Sequence, residues 1–240
     1  MRGHSYTFAG GKGGVGKTTT AVNVATALRD GGHEVVVVDA DLAMTNLGAV
    51  LGVDHEPTLH DVLAEAASID DAITTVDGLS VLPGDPAIDR YEAAKPGNLR
   101  TVVEQLERRF EVVLVDTGAG LTHESMIPFA ACDAVVLVTT PDDTAVTDAE
   151  KTGRLAEKVD GHLAGVVATR GDETDGENVA AQMGLPLLGT VPDAAVVGNE
   201  PVVEDAPDSN VAAAFRAIAD ELAPEPAEEG TPDATVGVGD

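Results

Sequence analysis

Short apolar runs alternate along this chain with longer stretches in which apolar and polar residues recur at helical spacing. The apolar runs are rich in valine, and two of them end in aspartate, at Asp39 and Asp116. Such runs are typical of strands buried on both faces of a parallel sheet. They predict strands over residues 6–9, 35–39, 79–82, 112–116, 134–139, 163–168 and 187–191, and helices over 18–29, 59–66, 97–109, 123–131, 142–159, 175–183 and 209–222.

This alternation predicts an α/β fold with a mostly parallel twisted sheet and helices on both faces. A single domain over residues 1–222 accounts for the pattern, without an internal repeat. Residues 223–240 are rich in proline, glycine and acidic residues and contain no lysine or arginine. We expect this acidic tail to be disordered, because it cannot bury enough apolar surface to fold alone.

A phosphate-binding motif lies between the first predicted strand and the first predicted helix. Residues 11–18 read Gly-Lys-Gly-Gly-Val-Gly-Lys-Thr and match the G-x-x-x-x-G-K-[ST] pattern of a P-loop NTPase. The backbone N–H groups of Gly11, Gly13, Gly14, Val15, Gly16 and Thr19 can surround a phosphate, and the helix N-terminus adds partial positive charge. Lys17 is predicted to reach the β- and γ-phosphates, and the Thr18 hydroxyl to ligate Mg²⁺.

The acidic composition of the chain limits the kinds of partner that it can bind. The chain has 42 acidic and 14 basic residues and a formal net charge of −28, which disfavours non-specific binding to nucleic acid. So acidic a surface resembles that of proteins from halophiles that accumulate salt. The apolar runs argue against the alternative of an acidic disordered protein.

Targeting signals are not evident in the sequence. No apolar run reaches 18 residues, and no apolar N-terminal segment follows a positive charge, so we expect a cytoplasmic protein. The single cysteine, Cys132, allows no intramolecular disulfide and is interpreted as a buried small apolar residue.

A second lysine in the loop, Lys12, makes the motif resemble the deviant Walker A loop of the MinD/ParA family, the signature-lysine ATPases. In that family the extra lysine crosses to the phosphates of the partner subunit. The resemblance therefore implies an ATP-dependent homodimer, slow ATP hydrolysis stimulated by a partner, and ATP with Mg²⁺ as cofactors. It makes Lys12, Lys17 and Asp41 the catalytic candidates.

Two further segments resemble the switches of that family. Residues 39–47 match switch I, D-x-D-x-x-x-x-N-L; the resemblance implies that Asp41 orients the attacking water and that Asp39 supports the Mg²⁺ shell. Asn46 is interpreted either as a dimer-face residue or as a polar residue at a helix N-terminus. Asp116 occupies the Walker B position, where its carboxylate would hold Mg²⁺.

Switch II would begin with Thr117, Gly118 and Gly120. Gly118 replaces the proline of the family pattern D-x-P-A-G, a departure that we expect to make the segment more flexible. Its backbone N–H groups would still sense a γ-phosphate.

Base recognition is assigned by resemblance alone. Thr169 and Arg170 match the family position near adenine, and Pro192 and Asp193 match a segment whose backbone reads the adenine edge. ATP is favoured over GTP because the sequence has no N-K-x-D motif. A plain loop is the alternative for Thr169 and Arg170.

Among the branches of the family, a MinD-like spatial organiser from a halophilic archaeon fits best, with an unidentified protein partner. A ParA-like partition ATPase should carry a basic patch, and an iron–sulfur carrier should carry C-x-x-C; neither is evident. A nucleotide-binding scaffold with negligible hydrolysis is a further alternative. Membrane contact is left open, since the tail lacks a basic amphipathic helix.

Overall fold

The computed structural model describes residues 2–120, 124–193 and 201–224. Within them the strands are β1 (His4–Ala9), β2 (Val35–Asp39), β3 (Thr74–Val76), β4 (Leu79–Leu82), β5 (Val112–Asp116), β6 (Ala134–Thr139), β7 (Leu163–Thr169) and β8 (Leu187–Val191). The seven predicted strands are all present with small changes of boundary. β3 is an addition, too short at three residues to give an alternating pattern.

Seven helices of the described ranges also lie where they were expected. They are α1 (Lys17–Asp30), α3 (Leu59–Leu63), α6 (Leu99–Leu106), α7 (Ile127–Ala131), α8 (Asp143–Lys158), α9 (Glu173–Met183) and α11 (Asn210–Leu222). Single 3₁₀ turns, Pro96–Asn98 and Glu124–Met126, precede α6 and α7. Four further helices of four to six residues were not predicted: α2 (Leu47–Leu51), α4 (Ile69–Ala72), α5 (Ile88–Ala93) and α10 (Val202–Asp205).

The eight strands form one sheet in the order β3-β4-β2-β5-β1-β6-β7-β8. All neighbouring pairs are parallel except β3 and β4, which form an antiparallel edge. The register of β2 on β5 places Asp39 directly beside Asp116. The carboxyl ends of the central strands therefore deliver two aspartates and the phosphate-binding loop to one edge of the sheet.

Apolar cores cover both faces of the sheet. Val35 and Val37 of β2 belong to a core that includes α1 and α11, whereas Val36 and Val38 belong to a core that includes α3 and α6. A third cluster joins β6 and β7 to α8 and α9. The predicted α/β fold with helices on both faces is confirmed.

No helix within the described ranges combines the length and apolar character needed to span a bilayer. Cys132 is buried, and burial raises the pKa of its thiol above the usual range, as expected of a structural residue. Of the predicted acidic tail, Ala223 and Pro224 follow α11, and residues 225–240 lie outside the described residues.

Candidate functional site at the carboxyl edge of the sheet

The predicted phosphate-binding loop joins β1 to α1. Gly14 and Gly16 have positive φ angles of 78° and 93°, which glycine adopts without strain, and α1 begins at Lys17. At Gly11 the loop passes so close to α8 that an added Cβ would lie 2.3 Å from the carbonyl oxygen of Asp148. Gly14 and Gly16 are thus explained by the turn, and Gly11 by the close approach to α8. Lys12, Gly13 and Gly14 are exposed.

Lys17 points into the site rather than to solvent. Its residue is only 8% exposed, and burial lowers the pKa of its ammonium group. The carboxylates of Asp116 and Asp41 act in the opposite direction and favour the charged form. The side chain is therefore a cation held beside two acids at the start of α1.

Thr18 and Asp116 form a direct contact across the site. The Thr18 hydroxyl lies 2.6 Å from Asp116 Oδ2 and 3.3 Å from Asn46 Oδ1. Burial raises the pKa of Asp116 to about 7 against the hydrogen bond from Thr18, and the neighbouring Asp39 raises it further. In the described part of the chain, Asp116 Oδ1 is buried and has no hydrogen-bond partner.

The unpartnered Oδ1 of Asp116 bears on whether Mg²⁺ fits the site. A hydroxyl and a carboxylate with a free buried oxygen are the hard oxygen donors that Mg²⁺ prefers, and phosphate oxygens and water complete such a shell. The donors therefore fit the ion, with Thr18 and Asp116 as the residues that would hold it.

Asp39 uses its carboxylate differently. Oδ2 accepts hydrogen bonds from the backbone N–H groups of Asn46 (3.1 Å) and Leu47 (3.0 Å), and Oδ1 accepts one from Asp41 N–H at 3.3 Å. Burial raises the pKa of Asp39 to about 6, opposed chiefly by the hydrogen bond from Leu47. Asp39 thus organises the switch I segment, residues 39–47, and this agrees with a supporting role better than with a direct metal ligand.

Asp41 lies where the two predicted switches meet. It is partly buried, its Oδ1 accepts from Met44 N–H at 3.1 Å, and burial raises the pKa of its carboxyl group. A Cβ added to Gly118 would lie 2.7 Å from Asp41 Oδ1. The glycine that replaces the family proline therefore gives Asp41 room beside switch II.

Thr117, the first residue of the predicted switch II, is anchored by a hydrogen bond. The hydroxyl of Thr117 donates to the Phe8 carbonyl at 2.7 Å, and the residue is 2% exposed. Gly120 has a φ angle of 116°, and its carbonyl accepts from Ser125 Oγ at 2.9 Å. Residues 121–123 lie outside the described ranges.

Lys12 stands at the outer wall of the site. Its side chain is 51% exposed, and Nζ lies 4.0 Å from Asp142 Oδ1. Both residues line a cavity of about 340 Å³ together with Gly13, Gly14, Val15, Thr140, Pro141 and Arg170. Asp142 was not among the predicted site residues. Its position just after β6, at the carboxyl edge of the sheet, could have indicated that it lies near the site.

The residues predicted to contact the base lie at the ends of β7 and β8. The Thr169 hydroxyl donates to the Val15 carbonyl at 2.7 Å and so supports the phosphate-binding loop from behind. Arg170 is exposed, with a φ angle of 58°, and lines the cavity beside that loop. Pro192 and the exposed Asp193 follow β8 directly, and residues 194–200 lie outside the described ranges. A contact of any of these four residues with adenine stays a prediction.

Comparison with known proteins agrees with this geometry. Residues 3–170 match the ParA family model, described as NUBPL iron-transfer P-loop NTPase. The chain belongs to the ParA/MinD family of P-loop NTPases. It is 35% identical over 227 residues to an uncharacterized ATP-binding protein of Methanocaldococcus jannaschii, covering 90% of this chain and 86% of that protein.

Two solved structures place this ParA/MinD-family NTPase close to MinD. The cell division ATPase MinD of Pyrococcus furiosus is 35% identical, with a TM-score of 0.86 over 92% of this chain and 98% of that one. The septum site-determining protein MinD of Pyrococcus horikoshii, complexed with Mg-ADP, is 33% identical, with a TM-score of 0.83 over 91% and 95% of the two chains. The origin of this chain in a halophile stays a prediction.

Proposed function

We propose that this ParA/MinD-family NTPase hydrolyses ATP and uses the nucleotide to switch between a monomer and an ATP-sandwiched dimer. The observation that carries the proposal is the meeting of Lys17, Thr18, Asp41 and Asp116 at one edge of the sheet. A buried carboxylate oxygen without a partner adds to it. A cation, a hydroxyl and acids in this arrangement suit a nucleoside triphosphate with its magnesium ion.

Each residue has a distinct task in this proposal. The loop N–H groups and the N-terminus of α1 bind the phosphates, and Lys17 neutralises charge on the β- and γ-phosphates. Thr18 and Asp116 would hold Mg²⁺, with Asp39 fixing the surrounding backbone. The ion supplies charge neutralisation on the phosphate oxygens. Asp41 orients the attacking water.

Lys12 would act across the dimer. It is half exposed and only loosely paired with Asp142 at 4.0 Å, so little holds it in place within the monomer. We propose that it leaves Asp142 and reaches the phosphates bound to the second subunit. Adenine would lie against Arg170, Pro192 and Asp193 at the ends of β7 and β8, with Thr169 behind the phosphate-binding loop.

The output of the cycle would be the placement of a cellular assembly. The Pyrococcus relatives are described as cell division and septum site-determining proteins, so we propose recruitment of a protein partner to a site in the cell. The net charge of −28 opposes a role on nucleic acid.

The deciding experiment is the molar mass in solution, in molar KCl with Mg²⁺ and either ADP or ATP. We expect ATP to double the mass of the native chain transiently, and Asp41→Ala to hold the doubled form because turnover is blocked. Lys12→Ala should stay monomeric. Lys95→Ala is its matched control, since Lys95 is an exposed lysine paired with Glu65 at 3.1 Å, away from the loop.

The same measurement separates the cycle from a static scaffold. A native mass that ignores the nucleotide, together with negligible phosphate release, would support the scaffold. A monomeric Asp41→Ala protein under saturating ATP would contradict the role given to Asp41.

A further inference from the structure

His60 is a buried titratable residue that the proposed chemistry does not use. It lies on α3, is 1% exposed, and uses both ring nitrogens in contacts with backbone groups. Nε2 lies 3.0 Å from the Leu42 carbonyl oxygen, and Nδ1 lies 3.0 Å from the Asp85 nitrogen. The ring thus stands between switch I and the loop that follows β4.

The two partners fix the state of the ring. A backbone N–H can only donate, so Nδ1 must accept from Asp85 and carries no hydrogen. A carbonyl can only accept, so Nε2 must carry the hydrogen that it donates to Leu42. His60 is therefore neutral, in the Nε2–H form, and each nitrogen has one assigned contact.

Hydrogen bonds fix the helix end that carries His60. Leu59, its neighbour at the start of α3, donates its backbone N–H to the Pro83 carbonyl at 2.8 Å. Thr58 and Asp61 form a capping box that closes the N-terminus of α3. The ring is consequently held by a helix end that is itself tied to the end of β4.

The loop after β4 also touches switch I directly. An added Cβ at Gly84 would lie 2.3 Å from Thr45 Cγ2 and 3.4 Å from Asp39 Cγ. Switch I is therefore packed closely against this loop at Thr45 and contacted by His60 at the Leu42 carbonyl. Leu42 is the residue next to Asp41, so His60 holds the Leu42–Ala43 peptide, one residue beyond the proposed water-orienting side chain.

We propose that His60 is a positioning residue for switch I: its Nε2–H holds the Leu42 carbonyl, and thereby Asp41, in register with the loop after β4. The effect on turnover rests on the proposed ATPase function; the mechanical link between His60 and switch I does not. Displacement of a positioned group by about 1 Å is enough to lower turnover by about a hundredfold.

Two near-isosteric substitutions of His60 distinguish the contributions of its two ring nitrogens. His60→Gln carries an amide N–H close to the place of Nε2 and keeps the donor to Leu42. His60→Asn carries an oxygen close to the place of Nδ1 and keeps only the acceptor for Asp85. His60→Ala removes both contacts.

The first measurement is hydrogen–deuterium exchange of the backbone amides of Asn46 and Leu47, which donate to Asp39 Oδ2. We expect exchange about tenfold faster in His60→Asn and His60→Ala, and near-native exchange in His60→Gln. Turnover should follow the same order, with kcat lowered about tenfold to a hundredfold and KM for ATP little changed.

A general structural role for His60 predicts a different outcome. It would make the Asn and Gln variants equal in exchange and turnover, and that equality would overturn the proposal. If the native chain released no phosphate, the proposed ATPase function would be wrong. Amide exchange would still decide whether His60 positions switch I.

A measurement on the native chain covers the case in which variants do not fold. Long-range ¹H–¹⁵N NMR of the histidine ring distinguishes its protonation forms. The Nε2–H form is expected at neutral pH. A charged ring or the Nδ1–H form would contradict the contacts that the proposal requires.

Discussion

Buried carboxylates have opposite environments at the two edges of the central sheet. At the amino edge, Glu107 is 1% exposed, and Arg2 contacts both of its oxygens at 2.8 and 2.9 Å. Ser5 Oγ donates to Glu107 at 2.6 Å, and Asp133 joins the cluster through Arg2 and Ser5. The acid at this edge has its cation and hydrogen bonds in place.

At the carboxyl edge, Asp39 and Asp116 lie side by side, and burial raises the pKa of both. Lys17 opposes this for Asp116 only in part, and Asp116 Oδ1 has no partner within the described residues. The amino edge is thus arranged for the folded chain alone. The carboxyl edge suits a ligand that brings positive charge, and we expect its buried acids to lower the stability of the ligand-free protein.

Replacement of Asp116 by Asn should give the largest effect. The variant keeps the size of the side chain but loses the charged oxygen that would hold Mg²⁺. We expect ATP turnover to fall at least about a hundredfold, because phosphoryl transfer depends chiefly on positioning and on stabilising the charge of the transition state. Phosphate release under saturating Mg-ATP measures it, and retention of more than a tenth of native turnover would remove Asp116 from the metal site.

The same variant should have the opposite effect on the nucleotide-free fold. The pKa of Asp116 is about 7 when folded, against about 3.9 in an unfolded chain, so the folded state binds more protons between these values. Stability contributed by this group therefore falls as pH rises from about 4 to about 7. Asp116→Asn should match the native chain near pH 4 and exceed its unfolding free energy by on the order of 4 kcal/mol at pH 8.

Urea unfolding in molar KCl without Mg²⁺ or nucleotide measures this difference. The subtraction of the two chains cancels the repulsion among the other surface acids, which also changes with pH. A variant that is less stable than the native chain at pH 8 would show that Asp116 is not under electrostatic strain.

The amino edge should respond in stability alone. Arg2→Ala leaves the Glu107 carboxylate buried without its cation, and we expect a loss of about 2 kcal/mol, since Arg2 itself is 61% exposed. Arg100→Ala is the matched control, because Arg100 forms an exposed i,i+4 pair with Glu104 on α6, which should contribute about 0.5 kcal/mol or less.

Turnover per folded molecule should be unchanged in both variants, because neither residue lies at the carboxyl edge. A large loss of turnover in Arg2→Ala at a temperature where it is fully folded would mean that the two edges are coupled.

The fold was predictable wherever a local pattern carried the information. The valine run of β2 and the valine-rich run of β5, each ending in aspartate, indicated both the strands and the edge at which they end. β3 and α5 were missed, because a three-residue strand and a six-residue helix with no buried residue leave no periodic trace. Their structure depends on neighbours that the local sequence does not reveal.

The residues of the site were likewise predictable only where a local motif contained them. Gly16, Lys17 and Thr18 are contiguous, so one motif was enough to predict the phosphate-binding loop. His60 and Asp142 were missed, since His60 acts through a partner 18 residues away and Asp142 through a partner on another loop. The closeness of Gly118 to Asp41 was likewise hidden, because the two residues meet only when β2 and β5 pair.

Thr117 marks a boundary within the predicted switch II. Its hydroxyl ties it to Phe8 in the central strand, whereas Gly118 has no side chain, and Gly120 adopts a backbone angle that few other residues tolerate. If the predicted switch II rearranges during the proposed cycle, we therefore expect the change to begin after residue 117 and to leave Asp116 in place. In the proposed cycle, this short segment would report the state of the nucleotide without disturbing the acid that would hold the ion.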